Sequence, residues 1–148
     1  MNNNYISKND CFSFTLANTW IEYDDEDDST YAFWHETEPT WTGNFRITAF
    51  QLPDAASPET DQAGDYIATE IAENANAQSI KLGNNHCAHY KKESLKGGEG
   101  IITYYWITGK NNDLFLCTFT IDKTQEFLPI NETELTTVRN MIASIQII

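Results

Sequence analysis

The densest group of chemistry-bearing side chains is the run His86-Cys87-Ala88-His89. Imidazole nitrogen and thiolate sulfur are the donors that zinc prefers, and a structural zinc site closes with four of them. On a strand, successive side chains alternate sides, so Cys87 and His89 share a face while His86 points away. The remaining candidates, Cys11, Cys117 and His35, are scattered along the chain. A packed thiol beside an ordinary histidine is expected, with no metal and no cofactor. The run Asp24, Asp25, Glu26, Asp27, Asp28 could attract calcium. A loop begun at Asp25 would put Glu36 at its twelfth position but Thr30 at the sixth, where an EF-hand turn requires glycine. A solvated acidic tip is the expected form. Cys11, Cys87 or Cys117 with a histidine, or Ser94 near Gly97-Gly98, lacks a context that activates a nucleophile. The stretch from Lys96 to Gly100 lacks the Lys-Ser/Thr ending of a phosphate-binding loop. No catalytic residue is expected, and the chain reads as non-enzymatic.

Charge sets the class of partner. The 148 residues hold 22 acidic and 9 basic side chains, a net charge of -13. Such a field repels phosphate backbones and attracts cationic partners, which argues against nucleic acid. No apolar run approaches the ~20 residues of a membrane helix. The start, MNNNYISKND, carries no basic stretch followed by an apolar one, so a cytoplasmic protein is expected. The three cysteines are odd in number and sit in or beside strand-like runs, as reduced thiols would.

The elements that must position these groups centre on residues 101–122. Two runs rich in β-branched and aromatic residues flank the polar connection Gly-Lys-Asn-Asn-Asp, the pattern of a hairpin. Ile102, Tyr104 and Trp106 take one side of the first run, and Ile101, Thr103, Tyr105 and Ile107 the other. Neither side is polar enough for water, so a central, covered strand pair is predicted. Upstream, Phe12, Phe14 and Leu16 alternate with polar residues, Asn18-Thr19 makes a turn, and strands follow at Trp20–Tyr23, Thr30–His35 and Gly43–Phe50. Ser57 is the expected cap of a helix with Pro58 at its first position, carrying Ala63, Ile67, Ile71 and Ala75 as one narrow stripe. A second hairpin follows, residues 79–82 with 86–92, and then a loop from Glu93 to Gly100. Near the end, Asn131 and Glu134 have the spacing of a capping box, with Ile130 and Leu135 as its staple, ahead of Val138, Ile142 and Ile145.

The predicted fold is α+β: residues 1–9 as a flexible tail, then one domain over 10–148. It has a large antiparallel sheet flanked by two main helices at about 58–77 and 132–145. The strand Phe12–Leu16 leading to Trp20, the strand from Gly43 before a helix, the 101–122 hairpin and the closing amphipathic helix resemble the α-β-α sandwich of the photosystem extrinsic protein P superfamily, which includes the Ran-binding Mog-type proteins. The chain is also similar to small bacterial proteins known as a domain of unknown function. The resemblance implies scaffolding or binding roles and brings no catalytic residues with it.

Trp20, Tyr23, Tyr31, Trp34 and Trp41 crowd the acidic run. Aromatic rings rimmed by carboxylates suit the grip of a basic protein. The expected partner-binding residues are Asp24, Asp25, Asp27, Asp28, Trp34 and Trp41, within a region from Asp24 to Glu38. The alternative is a small-molecule or lipid carrier with its pocket between the sheet and the 58–77 helix. The sequence carries no signal for an oligomeric state.

Overall fold

The computed structural model describes residues 2–36, 43–53 and 60–148. In chain order the elements are β1 (Asn3–Ile6), β2 (Phe12–Leu16), β3 (Trp20–Tyr23), β4 (Thr30–His35), β5 (Gly43–Gln51), α1 (Gln62–Glu73), β6 (Gln78–Leu82), β7 (Asn85–Lys96), β8 (Glu99–Lys110), β9 (Asp113–Asp122), a 3-10 turn (Lys123–Gln125), α2 (Pro129–Ala143) and β10 (Gln146–Ile147). Seven strands form one antiparallel sheet in the order β3-β4-β5-β9-β8-β7-β6, and β1-β2-β10 form a second, small sheet. The β8–β9 hairpin stands near the middle, in register from Ile101 opposite Asp122 to Lys110 opposite Asp113.

The two faces of the large sheet are covered differently. On one, Phe33, Phe45, Ile47, Trp106, Cys117 and Phe119 meet Leu135, Val138, Met141 and Ile142 of α2 and Phe12 and Phe14 of β2 in a single cluster. Each such ring or branched chain, fully buried, contributes about 1.5–3 kcal/mol of transfer free energy. On the other, Ala63 and Ile67 of α1 seat on Ala88, Tyr90, Ile107 and Leu114. That smaller cluster covers the β7–β8 side. The expected division of β8 into an Ile102, Tyr104, Trp106 side and an Ile107 side holds.

Four local expectations are corrected. Residues 1–9 are not a loose tail throughout, because Asn3–Ile6 pairs antiparallel with β2. Tyr5 anchors it, its ring 5.2 Å from Phe14 and 5.3 Å from Phe33. The first helix starts at Gln62, with Asp61 as its cap accepting from the Gly64 N–H at 3.1 Å. Asp61 also accepts from the Asn111 N–H at 2.7 Å, a contact from the β8–β9 turn that fixes where the helix begins. Ser57 and Pro58 lie outside the described residues. The helix stops at Glu73 rather than Ala77, ahead of Asn76 at φ +64, a left-handed conformation that cannot continue it. The closing helix starts at Pro129 with Leu128 at its cap and no side-chain cap bond, and Asn131 and Glu134 are buried instead. Asn131 stands four residues before Leu135 and Glu134 four before Val138, which places both on the inward stripe. A capping box does form, at Asp122 and Gln125 on the 3-10 turn. Finally, β7 and β8 run further than predicted and close at Gly97-Gly98, both at positive φ, as a tight hairpin turn needs.

Candidate functional site

The acidic run forms the connection between β3 and β4, and its own side chains build it. Asp25 accepts from the Asp27 N–H at 3.1 Å, and Asp27 accepts from the Ser29 N–H at 2.9 Å and from the Thr30 hydroxyl at 3.3 Å. Arg46 of β5 donates its Nε–H to Asp25 at 3.0 Å. The Asp27 N–H and then Arg46 hold the Asp25 carboxyl below its usual range. Asp25 and Asp27 are thus largely occupied in shaping the tip. Asp24, Glu26 and Asp28 are exposed, and charge concentrated on a short, internally bonded turn is presented in a fixed place.

Beside the tip lies the part of the sheet that α1 leaves open. Strand alternation and the observed register put Ile21 and Tyr23 of β3, Trp34 of β4, Asn44 and Arg46 of β5, Thr118 and Thr120 of β9 and Thr103 of β8 on that face. Tyr23, Trp34, Asn44, Arg46 and the three threonines are half-buried, and Ile21 is exposed. The structure therefore brings Trp34, Tyr23 and Arg46 to one surface, with Asp25 reaching over its edge. Trp41 and Glu38 lie outside the described residues.

A second polar group sits on the opposite, α2 side. His35 at the end of β4 has Nδ1 2.9 Å from Glu134 Oε2 and Nε2 2.8 Å from Thr19 Oγ1. Trp20, directly across from His35 in the β3–β4 pair, stacks on the imidazole at 5.2 Å with the planes 6° apart. Glu134 is 1% exposed. Burial pushes its carboxyl above the ordinary 4.5, while the hydrogen bond and charge of His35 and the Gly43 N–H pull the other way. Gly43 has no room for a side chain, since a Cβ there would lie 2.6 Å from the Phe119 ring and 2.7 Å from the Thr120 carbonyl oxygen. Sequence reasoning missed this group because Thr19, His35 and Glu134 are far apart in the chain. The usable signal was the helical stripe: Glu134 stands four and eight residues before Val138 and Ile142, a carboxylate among inward positions.

The other candidates are accounted for by packing. Cys87 and His89 share the α2-side face, as strand alternation requires, and His86 faces away to Ser79, 2.6 Å from its hydroxyl. His89 donates Nδ1–H to the Tyr105 carbonyl at 2.8 Å and stacks on Trp106 at 4.9 Å. Burial pushes the Cys87 thiol up to about 11 and the Cys117 thiol well above its usual range. Both are poor nucleophiles at neutral pH. Among the described residues no three His, Cys, Asp or Glu side chains converge on a common point. An open cleft of about 650 Å³ lies at one end of the sheet, lined by Asn85, His86, Gly109, Lys110, Phe115 and Ile147 among others. It is not between α1 and the sheet, where Ala63 and Ile67 make direct apolar contact.

Among curated proteins none matches the chain. Among solved structures the chain is similar to a protein from Bacteroides thetaiotaomicron VPI-5482, at 30% identity and a TM-score of 0.75, over 98% of this chain and 48% of that one. It spans about half the length of that relative. It shares its fold with PA94 of Pseudomonas aeruginosa, a protein of unknown function, at 12% identity and a TM-score of 0.54 over 94% of each chain. The chain is also similar to the solution structure of cyanobacterial PsbP from Synechocystis sp. PCC 6803, at 12% identity and a TM-score of 0.47 over 99% of this chain and 92% of that one. A family model described as a domain of unknown function, DUF3805, matches residues 1–147, and the chain belongs to that family.

Proposed function

We propose that this domain is a protein-binding module that engages a basic partner through the β3–β4 tip and the open sheet face beside it. The observation that carries this reading is the tip itself. Asp25 and Asp27 bond within the turn, Asp25 also to Arg46, and Asp24, Glu26 and Asp28 remain exposed. A pre-ordered charged turn loses little conformational freedom on binding, and a net charge of -13 steers cationic surfaces toward it. The half-buried Trp34 and Tyr23 supply the rigid aromatic contacts that concentrate binding energy. An inhibitor or immunity-type protein acting on a basic target fits this chemistry. The three free thiols support action in a reducing compartment, the cytoplasm.

The test is capture from an extract of the source cells, using as baits the wild-type domain and the triple variant Asp24→Asn, Glu26→Gln, Asp28→Asn. The expected result is a basic protein held by the first bait and lost from the second, with an association rate that falls at least ~10-fold from low to high salt. An equal yield of the same partner on both baits, or a rate indifferent to salt, would sink the reading.

A further inference from the structure

The Thr19, His35 and Glu134 group lies at the end of β3 away from the acidic tip, and its chemistry is independent of the binding reading. The two distances, 2.8 Å from Thr19 Oγ1 to His35 Nε2 and 2.9 Å from His35 Nδ1 to Glu134 Oε2, are those of a nucleophile, a base and the group that orients the base. Thr19 is exposed, with its backbone at φ +69. For a β-branched residue this is a true outlier, and such strain persists only where the surroundings hold it. The surroundings are visible: the Glu36 N–H donates to the Thr19 carbonyl at 2.8 Å, and the Trp20 N–H closes the turn on Ala17 at 3.2 Å. Strand alternation would send Thr19 to the face opposite its neighbour Trp20, and the left-handed turn instead swings its hydroxyl to His35. The hydroxyl hydrogen has two acceptors in reach, His35 Nε2 and the Asn18 carbonyl oxygen. An apolar side chain at position 134 would pack against the sheet without desolvating a carboxylate, so stability alone does not call for glutamate there.

We propose that this trio is an acyl-transfer site, with Thr19 as nucleophile, His35 as general base and Glu134 as the carboxylate that fixes the imidazole tautomer. Thr19 Oγ attacks the carbonyl carbon of an activated ester while its proton passes to His35 Nε2. The tetrahedral intermediate expels the alcohol, which takes that proton, and an acyl-threonine ester remains. Water then attacks this ester and gives a proton to His35, and Thr19 Oγ leaves and recovers it. His35 Nδ1–H donates to Glu134 throughout, the role a buried carboxylate plays in such relays. Thr19 stands at the surface, so the substrate class is a small, unencumbered ester that reaches it from solvent.

The whole chain is incubated with p-nitrophenyl acetate, following nitrophenolate release and locating acetyl groups by peptide mass spectrometry. An acetyl group on Thr19, with release about 10²-fold or more above Thr19→Ala and His35→Gln, is the expected result. Thr19→Ser keeps the activity. The mass measurement on the wild-type chain does not depend on how the variants fold. Acetylation confined to lysines and the N-terminus, or release from Thr19→Ala equal to wild type, overturns the proposal.

Discussion

The two faces of the seven-stranded sheet share the same strands yet have opposite characters. On β9, Thr118, Phe119 and Thr120 follow one another: Phe119 is fully buried under α2, and both threonines look out from the face that α1 leaves open. The covered face is continuous, because α2 and β2 together roof it with apolar side chains. Among the described residues the other is roofed on the β7–β8 side, by α1, and beyond it stand threonines, an arginine and rings lying at half exposure. The proposed binding surface lies where the covering layer ends. Polar groups behave accordingly: Asp25 on the open side has its carboxyl lowered by the Asp27 N–H and then by Arg46, and Glu134 on the closed side has its carboxyl raised by burial.

The largest effect that tests this contrast is on β9. Phe119→Ala leaves a cavity in the closed face and is expected to cost about 3–5 kcal/mol, whereas Thr118→Ala and Thr120→Ala stay within about 1 kcal/mol. Urea unfolding of the three variants checks it, and equal losses would erase the distinction between the faces.

Next in size is the buried pair. His35→Gln takes from Glu134 Oε2 the imidazole it meets at 2.9 Å and is expected to cost about 2 kcal/mol, most of it recovered in the double variant with Glu134→Gln. The pH dependence has a definite sign. The Glu134 carboxyl is raised above 4.5 in the native state, so its contribution to stability is fully present below pH 4.5 and is lost as pH rises through the raised native value. In Glu134→Gln that loss is absent, and unfolding measured across the acid range should show the flatter curve.

The smallest effect belongs to the open side. The Asp25 carboxyl is held below 3.8, so its contribution is present above pH 3.8 and vanishes as pH falls through the lower native value. Asp25→Asn should therefore be slightly less stable than wild type at neutral pH, with the difference closing in acid and shrinking with added salt. A difference that survives acid would mean the turn is held by something other than this charge.

Sequence determined the strands and their two sides, because alternation is local: each strand from β2 to β9 stands where apolar residues recur at every second position or where such runs meet a turn. It also determined that the acidic run is a solvated tip, since adjacent carboxylates have no inexpensive way into a core. What it misplaced are the ends that distant residues fix. The start of α1 is set by Asp61 bonding to the β8–β9 turn, and Asn3–Ile6 becomes a strand because β2 offers it an edge. The Asn131 and Glu134 pair fits a cap and an inward stripe equally well in one dimension, and only the sheet beneath α2 decides between them. The meeting of Thr19, His35 and Glu134 belongs wholly to tertiary structure, because it depends on which strand end lies under which helix turn, and no local spacing encodes a contact across 99 residues.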